Sequence, residues 1–262
     1  MTVWGYLTDD EWETINVQLP DINLVVNQVS EWPVAEYIGF GRFDMNATKI
    51  EQFRLSSACY RDARRNVQGA RFALGQALGV KKLYHINRVP DLPDDSNEVL
   101  GHFYGQFYAD YVPLLLYSAA EHALKGLFLL YGFEVGERKG KPWLKHTIKR
   151  FEEEDTENTT LLAQLRKYDR SQSRDTVFRY RNDWVHNRNQ RVATGLYDQP
   201  RFSFVRIEST REEVVFGGKV VPKFTWDDFI QHLKIALSDT LAFMAACFDD
   251  WEQRYGFQND NE

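Results

Sequence analysis

The sequence predicts an all-α protein: an antiparallel up-and-down four-helix bundle with additional short helices and a small β-hairpin insertion near 202–221. Three observations carry this. Four long stretches place apolar residues at spacings of three and four, Pro-, Asp-, Asn- or Gly-containing segments of ordinary or moderate length separate them, and clear period-two alternation is confined to one place.

In chain order, Thr8 and Glu11 have the spacing of a capping box before a short helix, and "INLVVNQV" is a strand-like run of ambiguous period. From Ile50 to Leu78 breakers are few, and Phe53, Ala58, Cys59, Ala63, Val67, Ala70 and Leu74 recur at mostly helical spacing, so a long amphipathic helix is expected to end near Gly79. The segment "NRVPDLPDDSNE" reads as a loop. Residues 103–131 form a second helix that is apolar along two lines, Tyr111–Leu115–Ser118 and Val112–Leu116–Ala119–Ala123–Leu127. Such a helix is central or touches a second chain, and Pro113 suggests a kink or a later start.

"WLKHTIKRFEEE" is a shorter helix with a solvated acidic tail, and residues 159–186 form another long helix whose pattern weakens at "RSQSRD". Its inward candidates are Leu161, Leu162, Leu165, Tyr168, Val177, Tyr180 and Trp184. "RFSFVRIE" and "EVVFGGKVV" then suggest the hairpin. Last comes the clearest helix, capped by Thr225 and striped by Trp226, Ile230, Leu233, Leu237, Leu241, Met244, Phe248 and Trp251. The implied organisation is an N-terminal extension over 1–49 whose structure the pattern leaves open, a bundle over 50–256 with its insertion at 200–223, and a disordered tail over 257–262.

A hydrophobic fraction of 43% excludes a disordered chain, and a net charge of −6 argues against coating nucleic acid by bulk field. One stretch departs from that balance: residues 166–191 hold eight basic residues against three aspartates, a local charge of +5. Cys59 and Cys247 lie in helical apolar patterns and read as buried hydrophobes in a reducing compartment. "MTVWGYLTDDEWE" has no basic n-region or apolar h-region, and the most apolar stretch carries Glu121, His122 and Lys125. The expectation is a cytoplasmic protein without a membrane span. His146 reads as a surface residue rather than a ligand, His85, His102 and His232 lack partners at ligand spacing, and no phosphate-cradling glycine pattern occurs, so no metal and no cofactor are expected.

Inside the basic stretch stands "YRNDWVHNR", with Arg181, Asn182 and His186. Spacing alone says little: twenty Arg and six His among 262 residues give Arg-x4-His roughly 0.5 times per chain. Position says more, because the pair falls at the end of the third long helix. On a continuous helix residues 181 and 186 point about 140° apart, so they converge only where the helix ends or where two copies meet.

An Arg-polar-x3-His signature at a helix end in an all-α bundle resembles the HEPN superfamily, whose members include metal-independent ribonucleases of toxin–antitoxin, abortive-infection and CRISPR systems. "YSAAEHALKGLFLLYGF" is similar to that family's second helix, and the resemblance covers roughly residues 50–255. It implies an endoribonuclease acting on RNA, single-stranded by expectation, as a homodimer that apposes two motifs, with a protein antitoxin or regulatory partner. His186 is then general base or acid, since its ordinary pKa is near 6.5. Arg181 is the phosphate clamp and Asn182 an orienting hydrogen-bonder, with Glu121 in support and Arg174, Arg179, Arg188 and Arg191 as RNA contacts.

Blander readings stand beside these. His186 and Arg188 can simply favour the negative end of a helix dipole, Glu121 can belong to a surface charge pair, and Tyr168, Phe178, Tyr180, Trp184 and Tyr197 more readily pack a core than stack bases. The rival function is a non-catalytic module that binds RNA, nucleotide or protein, with helix 103–131 as a dimer face.

Overall fold

The computed structural model describes residues 7–23, 25, 47–85, 94–133, 143–153, 159–185, 192–193 and 224–255, and these are almost wholly helical. The helices are α1 (Asp9–Asn16), α2 (Ala47–His85), α3 (Asp94–Leu130), α4 (Trp143–Glu153), α5 (Thr159–Asp169), α6 (Gln172–Val185) and α7 (Trp226–Tyr255). Two short strands, β1 (Val192–Ala193) and β2 (Phe224–Thr225), pair in parallel with Val192 opposite Phe224. The hairpin expected near 202–221 lies outside the described residues, and β1 and β2 flank that segment. No helix among the described residues is long and apolar enough to cross a membrane.

The local signals act as the chain reads. The Thr8 hydroxyl accepts from the Glu11 amide at 3.3 Å while the Glu11 carboxylate accepts from the Thr8 amide at 2.8 Å, a reciprocal cap that starts α1. Trp12, Ile15 and Leu19 then bury into the same core as the long helices, and the Arg71 guanidinium donates to the Pro20 carbonyl at 3.0 Å. Residues 7–23 and 25 are therefore part of the main body. At α7 the Thr225 hydroxyl accepts from the Asp228 amide at 3.1 Å, and all eight stripe residues from Trp226 to Trp251 are buried.

Three boundaries differ from expectation. α2 runs past Gly79 to His85, because Ala77, Val80 and Leu83 are buried and their burial outweighs a helical glycine costing about 1 kcal/mol. α3 begins at Asp94, inside the segment that reads as a loop, and holds Pro113 in its interior between the buried neighbours Val112 and Leu116. The helix expected over 159–186 is two helices, broken at Arg170–Ser171, where Ser171 caps α6 by accepting from the Arg174 amide at 3.1 Å. Of the two apolar lines on α3, the one through Val112 and Leu127 is buried, whereas the other is exposed at Tyr111 (45%) and half-buried at Leu115 and Ser118.

α2 and α3 lie antiparallel and close. The Ser56 hydroxyl of α2 donates to the Gly126 carbonyl of α3 at 2.8 Å, and a Cβ at Gly126 would stand 3.2 Å from Cys59 Cβ and 3.3 Å from Ser56 O. α7 packs on this pair: Phe248 meets Tyr60 edge-on at 5.1 Å and Trp251 meets Phe53 at 5.3 Å. It also reaches α5 through Phe243 on Tyr168 at 4.6 Å, and α6 through Phe229 on Tyr180 at 4.4 Å. Cys59 and Cys247 are free and buried.

Gly126→Ala should destabilise the protein by about 1–3 kcal/mol, since its methyl group meets backbone and Cβ atoms that cannot turn aside. Gly75→Ala meets only a terminal methyl of Leu19 at 3.4 Å and should leave stability unchanged or raise it by up to about 1 kcal/mol. Urea unfolding of the two variants checks this, and an equal loss in both would contradict the close-contact argument.

Candidate functional site

The last turns of α6 bring a cation and an aromatic ring together. Arg181 lays its guanidinium over the Tyr117 ring of α3, with Cζ 4.3 Å from the ring centre. Its Nη1 donates to Asn182 Oδ1 at 2.8 Å, and its Nε is buried with no hydrogen-bond partner among the described residues. Two of the three motif residues are thus in contact. α6 ends at Val185, one residue before His186; His186, Arg188 and Arg191 lie outside the described residues. Glu121 is half-buried four residues after Tyr117, hence on the same side of α3 as the ring that carries Arg181.

The remaining arginines divide by environment. Arg174 is only 15% exposed: its Cζ lies 4.7 Å from the Phe178 ring and 5.3 Å from the Tyr168 ring, and Nη1 stands 3.7 Å from Asp169 Oδ1. It fastens α6 to α5 rather than offering a charge to solvent. Arg179 is exposed and pairs with Asp175 one turn earlier at 2.9 Å. Because Tyr117 also meets Phe178 edge-on at 5.1 Å, a continuous ladder in which each guanidinium is followed by two rings runs Arg181, Tyr117, Phe178, Arg174, Tyr168, Phe243. Each cation–ring contact contributes about 0.5–2 kcal/mol according to its desolvation.

Tyr117 was not among the sequence candidates, yet a signal for such a partner exists. Arg174, Phe178 and Arg181 fall at i, i+4 and i+7, one mixed cation–aromatic face of α6 that needs rings opposite it. Among the histidines, His122 Nδ1 lies 2.7 Å from the Ser118 carbonyl, His232 Nδ1 lies 3.3 Å from the Ser173 hydroxyl, and His146, expected at the surface, stacks on Phe128 at 5.1 Å. Among the described residues no three His, Cys, Asp or Glu side chains gather at metal-binding range.

A second polar cluster lies beside the ladder. Tyr180, one residue before Arg181, donates its hydroxyl to Asp110 Oδ1 of α3 at 2.5 Å, and the Gln106 amide donates to the same oxygen. Burial pushes the Asp110 carboxyl up to about 6, against the lowering effect of those two hydrogen bonds. Burial also pushes the Tyr180 phenol up, reinforced by the neighbouring carboxylate. Nothing in the sequence singles out Asp110, because a buried carboxylate in a largely apolar helix is legible only once Tyr180 is known to face it.

The folded carboxyl holds its proton to a higher pH than the ordinary value of 3.8, so folding takes up a proton between about pH 4 and pH 6. The stability this group contributes is present below about pH 4 and is lost as pH rises through about 6, an effect of roughly 3 kcal/mol for a two-unit displacement. Asp110→Asn should flatten that part of the stability profile and match or exceed the parent above pH 6, as measured by denaturant unfolding from pH 4 to 8. A variant profile as steep as the parent's would assign the slope to other groups.

Set against protein-family models, curated proteins and solved structures, the chain matches none of them, and the chemistry of the site has to be argued from these residues themselves.

Proposed function

We propose that the chain is a HEPN-like, metal-independent endoribonuclease: an up-and-down four-helix bundle with a hairpin insertion that acts as a homodimer on single-stranded RNA. The observation that supports this best is the setting of Arg181. Tyr117 holds its face and Asn182 holds Nη1, which fixes a planar fork of donors at the end of a helix, the arrangement that suits a phosphate. α6 is described as far as Val185; on this reading the chain turns beyond it, or a second copy meets it, so that His186 joins Arg181.

The chemistry follows from the residue types. Neutral His186 takes the proton of a ribose 2′-OH, the 2′-oxygen attacks the adjacent phosphorus, and the bond from phosphorus to the 5′-oxygen breaks. The leaving oxygen takes a proton from the protonated His186 of a second copy, leaving a 2′,3′-cyclic phosphate and a 5′-hydroxyl. Arg181 neutralises the charge growing on phosphorus and Asn182 keeps the guanidinium aligned. Glu121 supports the site, and Arg179, Arg188 and Arg191 hold the backbone. In this role the protein serves as a toxin or phage-defence effector, with an antitoxin or regulatory protein as its partner.

A second reading has its own observation. Phe107 (49% exposed) and Tyr111 (45% exposed) stand outward on α3 with their rings 5.7 Å apart, as expected of a non-catalytic module that dimerises or binds protein, RNA or nucleotide through that helix.

Cleavage of a labelled single-stranded RNA in EDTA separates the readings. The parent should yield cyclic-phosphate ends, and His186→Ala and Arg181→Ala should each lower the rate by about 100-fold or more. Unchanged cleavage in both variants rules out this mechanism, and tight binding without cutting selects the second reading.

A further inference from the structure

The turn that breaks the third long helical stretch opens an anion-seeking cleft. Arg166, Lys167 and Arg170 at the end of α5 and the first residues of α6 surround a volume of about 670 Å³, closed on the far side by Ile235 and Asp239 of α7. That is within the roughly 300–1,000 Å³ of sites that take small molecules or segments of larger ones. Three cations face one carboxylate, and Asp239 is engaged as the acceptor of the Ser171 hydroxyl. Arg166 pairs with Glu152 at 2.7 Å with both side chains about half exposed, an ion pair that water and other anions can readily exchange. Lys167 and Arg170 make no ion pair among the described residues.

The cleft also has a place relative to Arg181. The ten residues from Ser171 to Arg181 span about 15 Å along α6; the side that carries Arg174 and Phe178 between them is turned into the protein, and the exposed path runs past Gln172, Arg179 and Asn182. A stacked strand rises about 3.4 Å per nucleotide, which makes that span about four nucleotide steps. We propose that this cleft binds backbone phosphates of single-stranded RNA about four nucleotides away from the phosphate at Arg181, making it a length-sensing subsite. The proposal rests on reading the chain as an RNA-handling protein; its residues are distinct from those of the Arg181 site.

The test compares the full chain with Lys167→Glu/Arg170→Glu and with Lys167→Gln/Arg170→Gln, both residues being exposed so that folding is retained, as thermal melts verify. The probes are a fluorescent single-stranded RNA 12-mer, a dinucleotide and ATP. The 12-mer should bind at least 10-fold more weakly to the Glu variant and with an intermediate loss to the Gln variant, with a salt dependence shallower by about one to two ions. Dinucleotide and ATP binding should be weak and unaltered. Unchanged 12-mer affinity in well-folded variants overturns the cleft, and an equal loss of ATP binding overturns the polynucleotide assignment in favour of a free nucleotide. If the 12-mer binds through these residues yet is never cut, the subsite stands and the ribonuclease reading fails, so the two are judged separately.

Discussion

Burial of the apolar stripe on α7 is the constraint on which the rest of the structure depends. Phe248, Phe243 and Phe229, set along one helix, meet Tyr60, Tyr168 and Tyr180, which belong to α2, α5 and α6 respectively. Each fully buried ring contributes about 1.5–3 kcal/mol, far more than the surface ion pairs that join neighbouring helices. Fixing Tyr168 and Tyr180 fixes α5 and α6, and with them Arg174 between the rings of Tyr168 and Phe178. Arg181, the residue after Tyr180, lies over Tyr117 on α3.

The same constraint explains why the α5–α6 break does not loosen the site. A single straight helix over 159–185 could not place both Tyr168 and Tyr180 against α7 and still direct Ser173 to His232. The Arg170–Ser171 turn supplies the change of direction, and Ser171 stabilises it twice, as acceptor for the Arg174 amide and donor to Asp239. A residue that caps a helix and ties it to a third helix is a stronger fixture than either bond alone.

How much of this was legible in the sequence follows from the range of each interaction. Periodicity found one buried line on each of α2 and α7, with only Ala58 left half-buried, but it missed Tyr60, Phe229 and Phe243, which widen those faces; the Thr8–Glu11 and Thr225 caps were readable because their partners lie three residues away. The end of α2 was not, because Gly79 is outweighed by burial of Ala77, Val80 and Leu83 against other helices, and α3 starts at Asp94 inside a segment whose Pro, Asp and Asn residues read as a loop. At the site, the adjacent pair Arg181–Asn182 was legible, while Tyr117, 64 positions earlier, was hidden by distance along the chain. Asp110 was hidden for the same reason: its character comes from Tyr180, 70 positions away.

The arginines of the basic stretch show how a protein with a net charge of −6 can still present cations at one place. A guanidinium has a face and an edge. Arg174 uses both, its face on two rings and its edge toward Asp169, and so has little left for a ligand. Arg181 gives its face to Tyr117 and only one nitrogen to a neutral amide, so its charge is uncompensated by any carboxylate in contact with it among the described residues. The ring restrains the side chain and the amide sets the plane, and neither removes the charge; with Nε buried, Nη2 and the second N–H of Nη1 are the donors left without a bond among the described residues. On the proposed reading, structural anchoring and phosphate recognition do not compete at Arg181; the packing that looks like a reason to discount it as a site residue is what would preorganise it.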